Sequence, residues 1–290
     1  MKLTRYRSIP SFRKGINQQA GRNNIGKITV RHRGAGHKQS YRLVDWSRNS
    51  GVGVVVGFEY DPQRNAYLAK LYHKNNLTEN QSYSYIVAPE GLKLFQEVYS
   101  YRSVATGNQT INKLLQPGDV APLSFFEAGD FLHNVAAYPG QQPIFARSAG
   151  TFCQIRSINH ENVGVNSSMN NSLWAKVRLP SGSQRLINTK VRATFGIVST
   201  HSINLSKNSF FNIRKAGRSR WLGWRPSVRG VARNPVDHPH GGGQGKTSGG
   251  RPSVTFKSWP TKGQPTRSSN RKNFRILTPR KNLFIINIII

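Results

Sequence analysis

From Gly51 onward the apolar positions come in short β-branched and aromatic runs separated by turn residues, a pattern that predicts strands. Gly51–Tyr60, Ala66–His73 and Ser82–Ala88 form a first set, broken at Asp61-Pro62, Asn75-Asn76 and Pro89-Glu90-Gly91. Several short strands at this spacing predict a small barrel of the oligonucleotide-binding or Src-homology-3 type. A second set follows Pro117-Gly118-Asp119: Val120–Phe126, Leu132–Tyr138, Ile144–Ile158, Ala175–Leu179 and Leu186–Val198. Pro139-Gly140 and Pro180-Ser181-Gly182 punctuate it, and a second barrel ends near Thr200. The expected class is mainly β: two barrels with largely irregular extensions.

The flanks lack this pattern. Ile28–Val30 and Tyr41–Trp46 have strand composition, with Gly34, Gly36 and His37 as the turn of a hairpin-like piece. Arg31, Arg33, Lys38 and Arg42 lie on it beside His32 and His37, with Arg22 and Lys27 just before. Cationic donors and flat rings on a ribbon suit phosphate contacts and base stacking. After His201, Leu205, Phe210, Phe211 and Ile213 predict one short helix ended by Gly217. Arg218, Arg220 and Arg225 then interleave with Trp221 and Trp224, so the indoles can stack on bases or cover the second barrel. From Arg229 to Arg251 there is no apolar period, and Gly241, Gly242, Gly243, Gly245, Gly249 and Gly250 fall within ten positions. Such a segment buries nothing of its own and needs an outside surface to shape it. Arg229, Arg233, Lys246 and Arg251 imply that this surface is anionic, and Asn234 and Gln244 lie on the same candidate contact segment. Lys257–Arg280, with Lys262, Arg271 and Lys272, has the composition of an arm that orders on binding.

Charge sharpens the division. The net charge is +32 over 290 residues. Residues 1–44 carry +11, residues 45–161 carry −1, and residues 162–290 carry +22 with Asp237 as their one acid. Two basic arms on a neutral body are the footprint of nucleic-acid binding. The chain divides into a basic N-terminal extension (1–33), a first barrel (34–115), a second barrel (116–200) and a basic glycine-rich extension (201–290). The single cysteine, Cys153, excludes an intrachain disulfide and reads as a buried small side chain. No stretch reaches the length of a membrane span, and the tail Leu283–Ile290 reads as a packed end. The basic, serine-containing N-terminus mimics an organellar presequence, but recognisable sequence by Gly21 leaves little to cleave.

Two motifs imitate enzymes. Asp237-His238-Pro239-His240 could ligate zinc or supply a general base, but no third ligand cluster accompanies it. Asp237 reads as the partner of a nearby arginine or a turn cap. Gly241–Thr247 matches the end of a phosphate-binding loop, yet His240 stands where its first glycine should be, and no strand precedes it. No catalytic or metal site is assigned.

Four stretches together carry a resemblance: GRNNIGKITVRHRGAGHKQSYRLVDW from Gly21, EYDPQRNA, ARSAGT, and RGVARNPVDHPHGGGQGKTSGGR to Arg251. The chain resembles the ribosomal protein L2 family, in order from about Gly21 to Arg271. The resemblance implies an oligonucleotide-binding-type barrel over 34–115, then a Src-homology-3-like barrel over 116–200, with basic extensions that penetrate large-subunit ribosomal RNA near the peptidyl transferase centre. It implies no enzyme and no cofactor beyond RNA-bound Mg2+ nearby. The implied partners are ribosomal RNA, neighbouring ribosomal proteins and the small subunit across an intersubunit bridge. It also implies support of subunit association, transfer-RNA binding and peptide-bond formation. The family's RNA-contacting loop falls on Asn234–Gly245, including Gly241–Gly243, and the histidine discussed for peptidyl transfer falls within His238–His240. Gln244 departs from the family's usual acid, the segment before Gly21 is shorter than in most bacterial relatives, and the tail is isoleucine-rich. Asn- and Ile-rich usage points to a mitochondrial genome, with a bacterium or plastid as the alternative. The competing functional class is an RNA-processing or RNA-modifying enzyme with an oligonucleotide-binding barrel, which should show a compact acidic or metal-binding site.

Overall fold

The computed structural model describes residues 8–48, 51–73, 82–101, 115–159, 174–200, 215–263 and 275–279. The short helix expected at 205–213, the turn at Asn75-Asn76, the tail Leu283–Ile290, and Arg271 and Lys272 lie outside these residues. The chain forms two compact units, one from Met1–Ile16, Gln39–Phe211 and Phe274–Ile290, the other from Asn17–Lys38 and Asn212–Asn273.

The first unit is built of strands. A short β1 (Arg13–Gly15) pairs antiparallel with β2 (Ser40–Arg42). Next come β3 (Gly51–Tyr60), β4 (Tyr67–His73) and β5 (Tyr83–Val87), an antiparallel meander, and β6 (Glu97–Ser100), which returns to the other edge of β3. A single parallel pairing, Ser100 with Val120, joins β6 to β7 (Val120–Pro122). The sheet continues through β14 (Arg192–Phe195), β8 (Phe131–His133), β11 (Cys153–Asn159), β12 (Trp174–Arg178) and β13 (Gln184–Asn188) to β15 (Ile276–Thr278). A separate two-stranded ribbon pairs β9 (Val135–Ala136) with β10 (Pro143–Phe145).

Alternation places the core. Gly53 and Val55 face inward on β3 until a bulge between Val55 and Gly57 shifts the register and buries Gly57 and Phe58 together. Val55, Phe58, Tyr67, Leu71, Ile86 and Val98 close one apolar cluster. Leu123, Leu132, Val135, Cys153, Ile155, Val177 and Ile187 close another. Each buried aliphatic side chain contributes about 1.5–3 kcal/mol relative to exposure. The fold is mainly β, with an oligonucleotide-binding-type set followed by a Src-homology-3-like set. Cys153 is fully buried, and burial pushes its thiol up to about 12.

Four expected runs are interrupted. Val120–Phe126 ends at Pro122, after which Leu123–Phe125 turns as a 3-10 helix. Asn134, at φ +52°, splits Leu132–Tyr138, and Ala146, at φ +49°, ends the first part of Ile144–Ile158. A turn at Asn188–Val191 divides Leu186–Val198. The hairpin expected between Ile28–Val30 and Tyr41–Trp46 does not form. Ser40–Arg42 takes Arg13–Gly15 as its partner instead, while Ile28 only bridges Arg22.

Arg42, a candidate phosphate contact, is largely buried. Its Nε donates to Glu59 Oε1 at 3.0 Å, the two side chains being only 12% and 15% exposed, and its Nη1 donates to Ser40. Tyr85 donates its hydroxyl hydrogen to the other Glu59 oxygen and accepts from the Ile9 N–H. Burial and that carboxylate push the phenol up to about 12. Arg42 is therefore a structural cation, its charge committed to the barrel.

His133 is fully buried, with Nδ1 donating to the Gly196 carbonyl at 2.9 Å. Burial holds its pKa down to about 4, with Arg48 adding to the depression. The folded state refuses a proton that the unfolded chain accepts below about 6.5. Stability present above that value is accordingly lost as the pH falls from 6.5 towards 4. Urea unfolding of the free chain should show about 2 kcal/mol less stability at pH 5 than at pH 7 from this group. His133→Gln should remove that part of the difference.

Candidate nucleic-acid interface

The second unit contains little regular structure, so hydrogen bonds and ring contacts hold it. Gly21, at φ +73°, turns the chain so that its carbonyl accepts from the N–H groups of both Thr29 and Val30. Asn23 Oδ1 accepts from the Ile25 and Lys27 N–H groups, and Arg22 donates to the Gly26 carbonyl. This self-bonded loop docks on α1 (Arg218–Trp221) and the turn after it. Gly34 N–H donates to Gly223 O, His37 N–H to Trp221 O, and Arg225 N–H to His32 O. His32 Nδ1 donates to the Pro226 carbonyl at 2.9 Å. Gly36 is required here, because a Cβ would stand 2.8 Å from both Gly223 N and Trp221 O.

Arginines stack on aromatic rings within this unit. The Arg33 guanidinium lies 3.9 Å from the centre of the Trp224 ring, and that of Arg31 lies 4.2 Å from the centre of Phe256. Trp221 and Trp224 both remain about half exposed.

The loop from Arg229 to Arg251 closes on itself. Gly242 N–H donates to Arg233 O, Gly241 N–H to His238 O, and the N–H groups of Asp237 and His238 to Asn234 O. A Cβ on Gly241 would meet Asn234 O at 2.3 Å, one on Gly242 would meet Pro235 at 2.8 Å, and one on Gly230 would meet the His238 ring at 2.6 Å. These glycines permit close packing inside the loop, where the sequence suggested freedom to follow an outside surface. Asp237 is exposed and forms no ion pair among the described residues; its N–H closes a turn.

The two histidines are part of this closure. Their rings lie 4.9 Å apart, the His240 N–H donates to His238 Nδ1 at 3.1 Å, and His240 Nε2 donates to the Pro252 carbonyl. Desolvation, then His240, Arg233 and Arg31, hold the His238 pKa below its ordinary value. Neutral His238 spends its Nδ1 lone pair on a backbone donor, so its other nitrogen carries the hydrogen. That second nitrogen is a donor, not a base.

Of the remaining candidates, Arg22, Lys27, Arg31, Arg33, His37, Lys38, Arg220, Arg225, Arg229, Asn234, Gly243, Gln244, Lys246, Arg251 and Lys262 are exposed. Arg218, Arg233, His32, His238, His240, Gly241 and Gly242 are partly buried. Across 17–38 and 215–263 there are 15 Lys and Arg and one acid, and no ion pair joins them among the described residues. No group of three or more His, Cys, Asp or Glu side chains is placed to hold a metal among the described residues.

Residues 11–100 match the family described as Ribosomal Proteins L2, RNA binding N-terminal domain, and residues 116–258 match Ribosomal Proteins L2, C-terminal domain. The chain belongs to the ribosomal protein L2 family. It is 44% identical over 269 residues to large ribosomal subunit protein uL2m of Reclinomonas americana, covering 92% of this chain and 86% of that protein. It is 43% identical over 281 residues to uL2 of Rickettsia akari, covering 96% and 92%. The L2 C-terminal match runs through the glycine-rich loop to Ser258, so the closed loop lies inside the family domain. Sequence reasoning missed Phe256 and Trp259, although aromatics among lysines and arginines are the signal that singled out Trp224.

Proposed function

We propose that this L2 chain is a structural constituent of the large ribosomal subunit. It binds large-subunit ribosomal RNA near the peptidyl transferase centre, and it supports subunit association, transfer-RNA binding and peptide-bond formation without catalysing them. The observation that carries this reading is the second unit, a set of exposed cations that have no carboxylate partner among the described residues, on loops that their own hydrogen bonds keep in shape. Such a surface lowers the ordering cost of binding a polyanion. RNA-bound Mg2+ would lie nearby, and the small subunit and neighbouring ribosomal proteins are the other partners. The mitochondrial ribosome is the proposed setting, supported by the likeness to the Reclinomonas uL2m and by the Asn- and Ile-rich composition. The Rickettsia likeness gives the bacterial setting comparable sequence support.

His238→Ala and His240→Ala test the reading in purified large subunits checked for composition. Loss of either imidazole opens the loop, so fewer active subunits should assemble. Single-turnover peptidyl transfer per complete particle should stay within about tenfold of the wild type. A fall of roughly a thousandfold with the RNA structure intact would assign a general base and overturn the proposal.

A further inference from the structure

Beyond the glycine-rich loop, residues 253–261 form a small self-supporting hairpin. Val254 bridges Pro260 in antiparallel fashion, and Thr255 N–H donates to the Trp259 carbonyl at 2.8 Å. Ser258 N–H donates to Thr255 O, and Trp259 N–H donates to Thr255 Oγ1. The Thr261 hydroxyl closes the base on Ser253 O and Oγ. Ser258 sits at φ +63°, a conformation that these bonds maintain.

The hairpin displays two aromatic rings that are used differently. Phe256 is capped by the Arg31 guanidinium at 4.2 Å, with Lys257 at 5.8 Å. Trp259 is 71% exposed, and no other aromatic ring or cation stacks on it among the described residues. A large flat ring held out on a fixed hairpin that also carries Lys257, with Lys262 just after its base, is a stacking surface on a cationic segment.

We infer that Trp259 stacks on one unpaired base of the bound RNA, while the cations around it hold the adjoining phosphates. This rests on the RNA-binding reading above and adds a contact to a base where that reading invokes the backbone. An indole suits the role because every base has a π-face, and a fully paired helix offers none at its side.

The test uses the full chain bound to its large-subunit ribosomal RNA, with base-specific and backbone chemical probing and affinity measured at fixed salt. Wild type should change the reactivity of one unpaired base that Trp259→Ala leaves as in free RNA. Trp259→Ala should weaken binding about tenfold with the salt dependence unchanged, and Trp259→Phe should restore both the footprint and most of the affinity. Identical base footprints for wild type and Trp259→Ala would overturn the inference. So would a Trp259→Ala loss that Phe does not rescue, or a cross-link from position 259 to protein in assembled subunits. Absence of any wild-type footprint would instead overturn the RNA-binding reading itself.

Discussion

Gly241→Ala is expected to lower affinity for large-subunit ribosomal RNA by about 100-fold or more, while Gly245→Ala costs about tenfold at most. A methyl group on residue 241 would stand 2.3 Å from Asn234 O, 2.6 Å from Asn234 C and 2.7 Å from Arg233 O. All three are backbone atoms, so no side chain can swing aside. The same two carbonyls accept the N–H groups of Asp237, His238 and Gly242, and relieving the clash breaks the bonds that close the loop. Opening it exposes donors that binding must order again, a cost of about 3 kcal/mol or more. At Gly245 nothing lies within 4 Å, and alanine meets only the strain of φ +66°. Equilibrium binding at one salt concentration measures both variants, with circular dichroism to confirm that the barrels remain folded. Equal losses would mean that the loop takes its shape from the RNA.

The second large effect concerns charge. Arg220, Arg225, Arg229 and Arg251 are all exposed and have no carboxylate partner among the described residues. Changing all four to glutamine should weaken RNA binding on the order of 10³-fold at about 0.1 M salt, if each neutralises one phosphate. Exposed surface side chains contribute little to folding, so the unfolding free energy should change by less than about 0.5 kcal/mol per substitution. Arg42→Gln would instead lower the stability of the barrel, because the Arg42 guanidinium supports Glu59 inside it.

The barrels were legible because β-branched runs and Pro-Gly-Asp breaks state strand and turn independently of tertiary context. Their interruptions were not, since Asn134 and Ala146 adopt positive φ for reasons set by their neighbours in the fold. The hairpin expected over 28–46 does not form for a similar cause. Ile28–Val30 has strand composition, but the N–H groups of Thr29 and Val30 both donate to the Gly21 carbonyl and are not offered to a strand.

The position of the candidate interface was legible from charge alone, and its internal construction was not. Glycine richness signals conformational freedom equally well in an open loop and in a crowded one. Only the approach of Asn234 O to Gly241 and of the His238 ring to Gly230 separates the two cases. Basic residues likewise look alike in sequence. Nothing local marks Arg42 as the partner of Glu59, or Arg33 as the cover of Trp224, because each pairing is made by the fold.

If the cations of 17–38 and 215–263 carry the affinity for RNA, counterion release on binding reports it. Binding of the full chain to large-subunit ribosomal RNA is measured from about 50 to 300 mM salt, beside the four-arginine variant. Wild type should give a slope of log K against log salt near −7 or steeper, as about eight neutralised phosphates require, and the variant should be shallower by about 3 to 4. Coincident slopes for the two proteins would contradict the account.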